Sequence, residues 1–211
     1  MWVAELWRFP VKSMAGERLT SAELGPLGIP GDRVVHIENE KRRVITSRSR
    51  PRLLLHRGTL GADGEPRVDG RPWADDGVRR DVVEAVGEPA RLVRDESPDR
   101  FDVLPLLIAT DGAIAAFGHD GRRLRPNIVI GGVVGLAERT WEGRRLLIGD
   151  ALVGVVDLRD RCIMTTFDPD TAVQDADVLL KIHRDFDGAL ALNCRVLRPG
   201  RVEVGDEVFL E

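Results

Sequence analysis

One short segment of the sequence combines a thiol with cationic and hydroxyl side chains. Residues 161–171 read RCIMTTFDPDT, so Cys162 directly follows Arg161 and is followed closely by two threonines. A neighbouring guanidinium stabilises a thiolate, the form of cysteine that attacks electrophiles and binds soft metals. Composition alone favours a different interpretation, a small inert residue in a β-rich core. The FDPDT that follows is a turn signature, which predicts that the thiol lies where a strand ends.

No other set of reactive residues forms a competing site. The second thiol, Cys194, lies in an apolar β run and is interpreted as a small buried residue. The four histidines show neither HExxH spacing nor a Ser/His/Asp arrangement, and neither cysteine belongs to a zinc-type array. The sequence contains no P-loop and no Gly-rich dinucleotide-binding turn, and two cysteines cannot supply the four ligands of an iron–sulfur cluster.

Composition and charge narrow the class of protein. The chain has 211 residues, of which 43% are hydrophobic, and a formal net charge of -4, which suits a globular protein and argues against a general nucleic-acid binder. Two cysteines fit a reducing compartment. Glu5, Arg8 and Lys12 interrupt the apolar residues of the N-terminus, so the pattern indicates neither a signal peptide nor a membrane span. We therefore expect a cytoplasmic protein that does not bind membranes.

The elements that must position these residues are mostly short strands. Apolar runs predict strands at WVAELWRF, LTSAEL, PRLLLHRGTL, ARLVRD, VLPLLIA and RPNIVIGG, and a hairpin over RVVHIEN and RVITS. Gly-Asp turns within RRLLIGDALVGVVDL and RVEVGDEVFL predict two further hairpins and, with them, a small closed barrel. Helices are expected at GVRRDVVEAVG, GAIAAFG and DADVLLKIHRDF. Thr110 or Asp111 is expected to cap the second helix.

The segment around Cys162 resembles the signature of MOSC-domain proteins. This family includes the C-terminal domain of molybdenum cofactor sulfurases and the amidoxime-reducing components. Six other blocks resemble the family in the same order: RFPVKSMAGERL, GIPGDRVVHI, VITSRSRPRLLL, LPLLIATDGAI, LRPNIVIGG and VEVGDEVFL. The resemblance spans nearly the whole chain. It implies a mainly β fold, in which an N-terminal MOSC-associated β-barrel domain (1–97) packs on a MOSC β-barrel with a few short helices (98–211).

The resemblance also implies a site for the molybdenum cofactor between the two domains. Cys162 matches the family's molybdenum ligand, while Lys12, Ser13 and Arg33 match positions that hold the cofactor's anionic tail. The full set of expected cofactor-binding residues is Lys12, Ser13, Arg33, Thr110, Asp111, Arg125, Asn127, Arg161 and Cys162. Taken singly, each also has an ordinary structural interpretation. Arg48 and Arg50 stay ambiguous, since either one faces the site or both form a solvated cluster.

The function that the resemblance implies is reductive. A molybdenum-dependent reductase would act on N-hydroxylated or N-oxygenated small molecules, with electrons from a separate protein, either a reductase or a ferredoxin-like donor. The alternative is a non-redox carrier of the cofactor or of a persulfide on Cys162. We expect a monomer. Two departures from the family are Ala113, where amidoxime-reducing relatives commonly carry serine, and a short segment between LLLHRGTL and RFDVLPLL.

Overall fold

The computed structural model describes all 211 residues and is mainly β. Its strands are β1 (Trp2–Arg8), β2 (Glu17–Leu19), β3 (Ser21–Leu24), β4 (Val35–Asn39), β5 (Val44–Ile45), β6 (Gly58–Leu60), β7 (Pro66–Val68), β8 (Arg71–Pro72), β9 (Ala90–Arg94), β10 (Leu106–Thr110), β11 (Ile128–Gly131), β12 (Arg145–Ile148), β13 (Ala151–Asp160), β14 (Ala189–Arg198), β15 (Gly200–Glu203) and β16 (Val208–Leu210). The α-helices are α1 (Asp76–Val86), α2 (Asp111–Phe117) and α3 (Asp177–Phe186). Five short 3-10 helices cover Pro51–Leu55, Pro98–Arg100, Gly121–Leu124, Ala137–Thr140 and Ile163–Thr166.

A large sheet forms the C-terminal barrel, in the strand order β16-β12-β13-β14-β10-β11-β1-β2. Only β10 and β11 run parallel within it. The N-terminal residues around β1 also bond to the segment around β16, at the opposite edge of the sheet. Val3 N donates to Asp206 O at 2.9 Å, and Val208 N donates to Met1 O at 2.9 Å. These bonds close the sheet on itself, as expected from the sequence. The enclosed core is apolar and includes Leu6, Ile108 and Ile128.

A second core lies in the N-terminal half. There β4 pairs with β5 and β9, while β6, β7 and β8 form a small sheet of their own. Helix α1 packs on this core through Val78 and Val82. The first three strands nevertheless join the other half, since β1 and β2 belong to the large sheet and β3 pairs with β15. The division of the chain after residue 97 stays a prediction. Strands β1 and β3 lie before this position but pair with β11 and β15, which lie after it.

The three helices form where the sequence predicts them, and their caps explain two of the starting points. Asp75 begins α1 by accepting hydrogen bonds from Gly77 N at 2.7 Å and Val78 N at 3.2 Å. Thr110, rather than Asp111, caps α2, with its hydroxyl accepting from Ala113 N at 3.0 Å. None of the helices has the length and apolar character needed to cross a lipid bilayer.

Three local predictions were wrong. Residues Pro51–Leu55 form a 3-10 helix rather than a strand, because proline suits a helix start and the turn buries Leu53 and Leu54 together. The predicted single strand LTSAEL is instead two strands, β2 and β3, in different sheets. The C-terminal RVEVGDEVFL is not a hairpin, since β15 pairs with β3 and β16 with β12. Its Gly-Asp turn passes the chain between two sheets.

Candidate functional site

Cys162 lies just outside the barrel wall. It follows the end of β13 by two residues and begins the 3-10 helix Ile163–Thr166, where Thr165 N donates to its carbonyl at 3.0 Å. Its side chain is partly exposed, whereas Cys194 on β14 is fully buried. Burial raises the pKa of the Cys194 thiol, so that cysteine stays protonated and inert. Cys162 is therefore the thiol that a ligand can reach.

Two arginines hold the turn that carries Cys162. Arg123 donates to the carbonyls of Thr165 at 3.3 Å and Thr166 at 2.9 Å. Arg161 donates from Nη2 to Leu124 O at 2.9 Å. These three bonds join the 3-10 helix Gly121–Leu124 to the cysteine turn, so the two short helices fix the position of that turn.

The environment of the thiol is cationic. Burial, together with the like charge of Arg159, lowers the pKa of Arg161 to about 10, so Arg161 still carries its proton at neutral pH. Arg159 also lies close enough to Cys162 for their charges to interact. The Nε of Arg161 is buried and has no hydrogen-bond partner. Because buried donors are nearly always satisfied, this N–H marks a place for a ligand or an ordered water.

A carboxylate connects Arg159 to the N-terminal half. Asp102 lies 2.8 Å from Lys12 Nζ, 2.6 Å from Arg48 Nη2 and 3.7 Å from Arg159 Nη2. Burial raises the pKa of Asp102, but the hydrogen bond from Lys12 and the charges of the two arginines hold it below its ordinary value. The carboxylate is therefore ionised at neutral pH, and it gathers three cations from distant parts of the chain.

A second carboxylate organises the neighbouring part of the site. Asp32 is fully buried and accepts hydrogen bonds from Phe9 N at 2.7 Å and Asn127 Nδ2 at 3.1 Å. It also pairs with Arg33. Arg100 links Asp32 to Lys12, since its Nε donates to the backbone carbonyl of Asp32 at 3.0 Å while its own carbonyl accepts from Lys12 Nζ at 2.9 Å.

Arg125 completes this part of the site. Its guanidinium carbon lies 4.2 Å from the centroid of the Phe9 ring, and that of Arg33 lies 5.2 Å away. Its Nη1 donates to Met14 O at 2.7 Å. Burial, with the like charge of Arg33, lowers the pKa of Arg125 to about 9, so it remains charged at neutral pH.

Cations outnumber carboxylates in this network, which we call the cation cluster. Its two carboxylates are Asp32 and Asp102. Its seven cations are Lys12, Arg33, Arg48, Arg100, Arg125, Arg159 and Arg161. A partly buried region with this excess of positive charge attracts an anion, and guanidinium groups bind phosphate well.

Three predicted site residues have unusual backbone conformations. Ser13, Arg33 and Arg125 adopt positive φ angles of 75°, 56° and 56°. Residues other than glycine rarely adopt this region, which costs about 1 to 3 kcal/mol each, and such strain concentrates at functional sites. The fold therefore holds these three residues in conformations that their side-chain types do not favour.

The structure does not bring every predicted residue to the cluster. Thr110 is occupied as the cap of α2 and donates to Glu138 Oε2 at 3.2 Å. Asp111 accepts from Gly132 N at 2.7 Å and Val133 N at 3.0 Å. These bonds are structural, and a role for either residue in binding a cofactor stays a prediction.

The ambiguity between the two arginines of TSRSRP is resolved by their partners. Arg48 pairs with Asp102 within the cluster, whereas Arg50 pairs with Glu88 at 2.8 Å at the surface. Sequence reasoning missed four members of the cluster: Asp32, Arg100, Asp102 and Arg159. Arg159 could have been found from the alternation in LRDRC, which directs Arg159 and Arg161 to one side. No local signal marks Asp102.

Two clefts open beside the cluster. The larger, of about 890 Å³, is lined by Phe9, Arg125 and Met164, among others. The smaller, of about 330 Å³, is lined by residues that include Arg48, Asp102 and Arg159. The site thus combines a partly exposed thiol, a cluster with more cations than carboxylates and two open clefts beside that cluster, which suits a ligand that carries both an anionic group and a soft metal.

Comparisons with known proteins agree with this arrangement. Residues 1–79 match the family model of the MOSC N-terminal β-barrel domain, and residues 113–209 match that of the MOSC domain. The first match covers strands β1 to β8, and the second contains Arg125, Asn127, Arg161 and Cys162.

Similar proteins include two amidoxime-reducing components. The chain is 29% identical to human mitochondrial amidoxime-reducing component 1 over 281 aligned positions, which cover 99% of this chain and 82% of that protein. It is 27% identical to mitochondrial amidoxime reducing component 2 of Macaca fascicularis, over 82% of this chain and 68% of that one. The crystal structure of the YUAD protein from Bacillus subtilis is similar in fold, with a TM-score of 0.50, 17% identity and coverage of 100% and 98%.

Proposed function

Since the chain belongs to the MOSC-domain proteins and carries the MOSC N-terminal β-barrel domain, we propose that it binds the molybdenum cofactor and reduces N-hydroxylated or N-oxygenated small molecules. The similar human and macaque proteins are named for the reduction of amidoximes. Electrons would come from a separate protein, because two cysteines, one of them fully buried, cannot form an iron–sulfur relay within this chain.

One observation carries the proposal. The partly exposed thiol of Cys162 lies beside Arg159 and Arg161, at one end of the cation cluster. A thiolate suits a soft metal, and the cluster suits a phosphate. The buried Nε of Arg161, directly before Cys162 in the chain, is a further donor without a partner. These residues fit a ligand that joins a sulfur-bound metal to an anionic tail, as the molybdenum cofactor does.

Each part of the site has a distinct role in this proposal. Cys162 would hold the metal through its sulfur, a soft ligand. Lys12 and Arg33 would bind the phosphate, and Arg125 would line the cofactor above the Phe9 ring. When bound, the cofactor supplies two-electron chemistry that removes oxygen from the substrate nitrogen. The 3-10 helix Gly121–Leu124 would keep the thiol in place through Arg123 and the carbonyl of Leu124.

The test combines elemental analysis with turnover. The purified chain is assayed for molybdenum and pterin content and then for reduction of an amidoxime with reduced methyl viologen as the donor. We expect the purified chain to contain both molybdenum and pterin. We also expect turnover with reduced methyl viologen, and none with NADH or NADPH until a reductase is added. Molybdenum without turnover on any donor would favour the carrier. Absence of molybdenum and pterin after expression with molybdate would contradict the reductase and the cofactor carrier and would leave only the persulfide carrier.

A further inference from the structure

The two carboxylates of the cation cluster are held in different ways. Asp32 is fixed by a backbone donor, Phe9 N, and by the amide of Asn127, and its side chain is fully buried. Asp102 accepts no hydrogen bond from the backbone, and its contacts are to the side chains of Lys12, Arg48 and Arg159. Its side chain is 35% exposed. Asp32 is therefore part of the frame, whereas Asp102 is held by charge alone.

The segment that carries Asp102 is free of regular structure. It lies between the 3-10 helix Pro98–Arg100 and β10, and its next residue, Val103, is 53% exposed. Phe101 anchors the segment on one side, since its ring packs under the Arg100 guanidinium at 4.3 Å. The carboxylate can therefore leave its partners by rotation of one exposed side chain, without disturbing a strand or helix.

The partners of Asp102 are the groups that an anionic ligand would need. Lys12 is one of the residues proposed to bind the phosphate, and its ammonium already uses two directions, toward Asp102 and Arg100 O. Arg48 and Arg159 line the smaller cleft with three carboxylates, Asp102, Asp157 and Asp160, of which only Asp102 pairs with both arginines. An external anion and the carboxylate compete for the same donors.

We propose that Asp102 is a built-in counter-ion, which holds Lys12, Arg48 and Arg159 in place when no ligand is bound and is displaced by the anionic group of the ligand. Asp102 thereby sets the affinity of the site for anions. This role rests on the proposed function only in the identity of the ligand, because the competition applies to any phosphate that reaches the smaller cleft.

The test measures binding of inorganic phosphate to the full chain, freed of endogenous ligand, by isothermal titration calorimetry. Asp102→Asn keeps the shape of the side chain and removes its charge, so we expect phosphate to bind about tenfold more tightly or better than to the wild type. The gain should shrink as the salt concentration rises. Asp99→Asn is the matched control, because Asp99 is exposed, lies three residues before Asp102 in the 3-10 helix Pro98–Arg100 and makes no ion pair. Its affinity should equal that of the wild type.

The phosphate affinities support or overturn the counter-ion role of Asp102. Tighter binding to Asp102→Asn alone supports the counter-ion. Equal or weaker binding to that variant, or no phosphate binding to any variant, overturns it, provided that circular dichroism shows the variants folded as the wild type is. Molybdenum and pterin are measured in the same preparations before stripping. If molybdenum and pterin are present and Asp102→Asn leaves the phosphate affinity unchanged, only the counter-ion role of Asp102 is rejected. If both are absent and the affinity is tightened, only the proposed binding of the cofactor is rejected.

Discussion

One cysteine lies within the barrel sheet and the other just beyond the end of a strand of that sheet, and their environments are opposite. Cys194 faces Val155 of β13 within the barrel and is fully buried among apolar side chains. Cys162 follows the end of that same β13 and is partly exposed beside two arginines. The chemistry of each thiol is thus decided by whether the strand still pairs at that point or has left the barrel wall. Four predictions test this comparison.

The largest effect is expected at the thiol outside the barrel. Cys162→Ser should lower amidoxime turnover by about a hundredfold or more, because serine binds a soft metal poorly at neutral pH. The fold should be kept, since no side-chain contact of Cys162 supports the core. Steady-state turnover and the thermal unfolding midpoint are measured together. Turnover equal to that of the wild type would remove Cys162 from the mechanism.

Replacing Lys12 or Arg33 should weaken retention of the cofactor. This effect should be smaller than that of Cys162→Ser on turnover. Lys12→Ala and Arg33→Ala should each cost about 1.5 to 3 kcal/mol of binding free energy, which is the usual contribution of a charged hydrogen bond. Dissociation is followed as molybdenum lost during dialysis. Because Arg100 and Asp32 link the two residues, the double variant should differ from the sum of the single ones. Strict additivity would mean that they do not share one anion.

The buried cysteine should affect stability alone. Cys194→Ser places a hydroxyl in the apolar core, which should lower the free energy of unfolding by about 1 to 3 kcal/mol. The hydroxyl can donate to Leu192 O, as the thiol does at 3.6 Å, so a value near the lower limit is expected. Urea unfolding measures the loss. A fall in molybdenum content per folded molecule would show that the wrong cysteine had been assigned.

The smallest effect is expected at the surface. Arg50→Ala removes an ion pair with Glu88 in which both side chains are 39% exposed, so the free energy of unfolding should change by about 0 to 1 kcal/mol. Arg48→Ala is its counterpart within the cluster and should increase molybdenum loss on dialysis, while Arg50→Ala should not. Equal molybdenum loss from both variants would show that Arg48 contributes no more to retention of the cofactor than Arg50 does.

The sequence predicts more of the fold than of the site. Apolar periodicity and cap residues locate the three helices and the hairpin of β12 and β13, because these depend on neighbouring residues. The separate paths of β15 and β16 could not be foreseen, since only tertiary contacts decide which edge a short strand joins. The role of Asp102 could not be predicted for the same reason, because its partners come from three distant segments of the chain. The family blocks do contain Lys12, Arg33 and Arg125, which the structure places in the cation cluster, while their role in binding a cofactor stays a prediction.

Molybdenum K-edge X-ray absorption of the wild type and Cys162→Ser tests the central claim most directly, because it counts the sulfur ligands of the metal. The account predicts that the wild type has one more sulfur ligand than the variant, the difference being the thiolate of Cys162. Any metal that the variant retains should keep only the sulfurs of the cofactor. An identical sulfur count in the two proteins, at equal molybdenum loading, would contradict the assignment of Cys162 as the metal ligand.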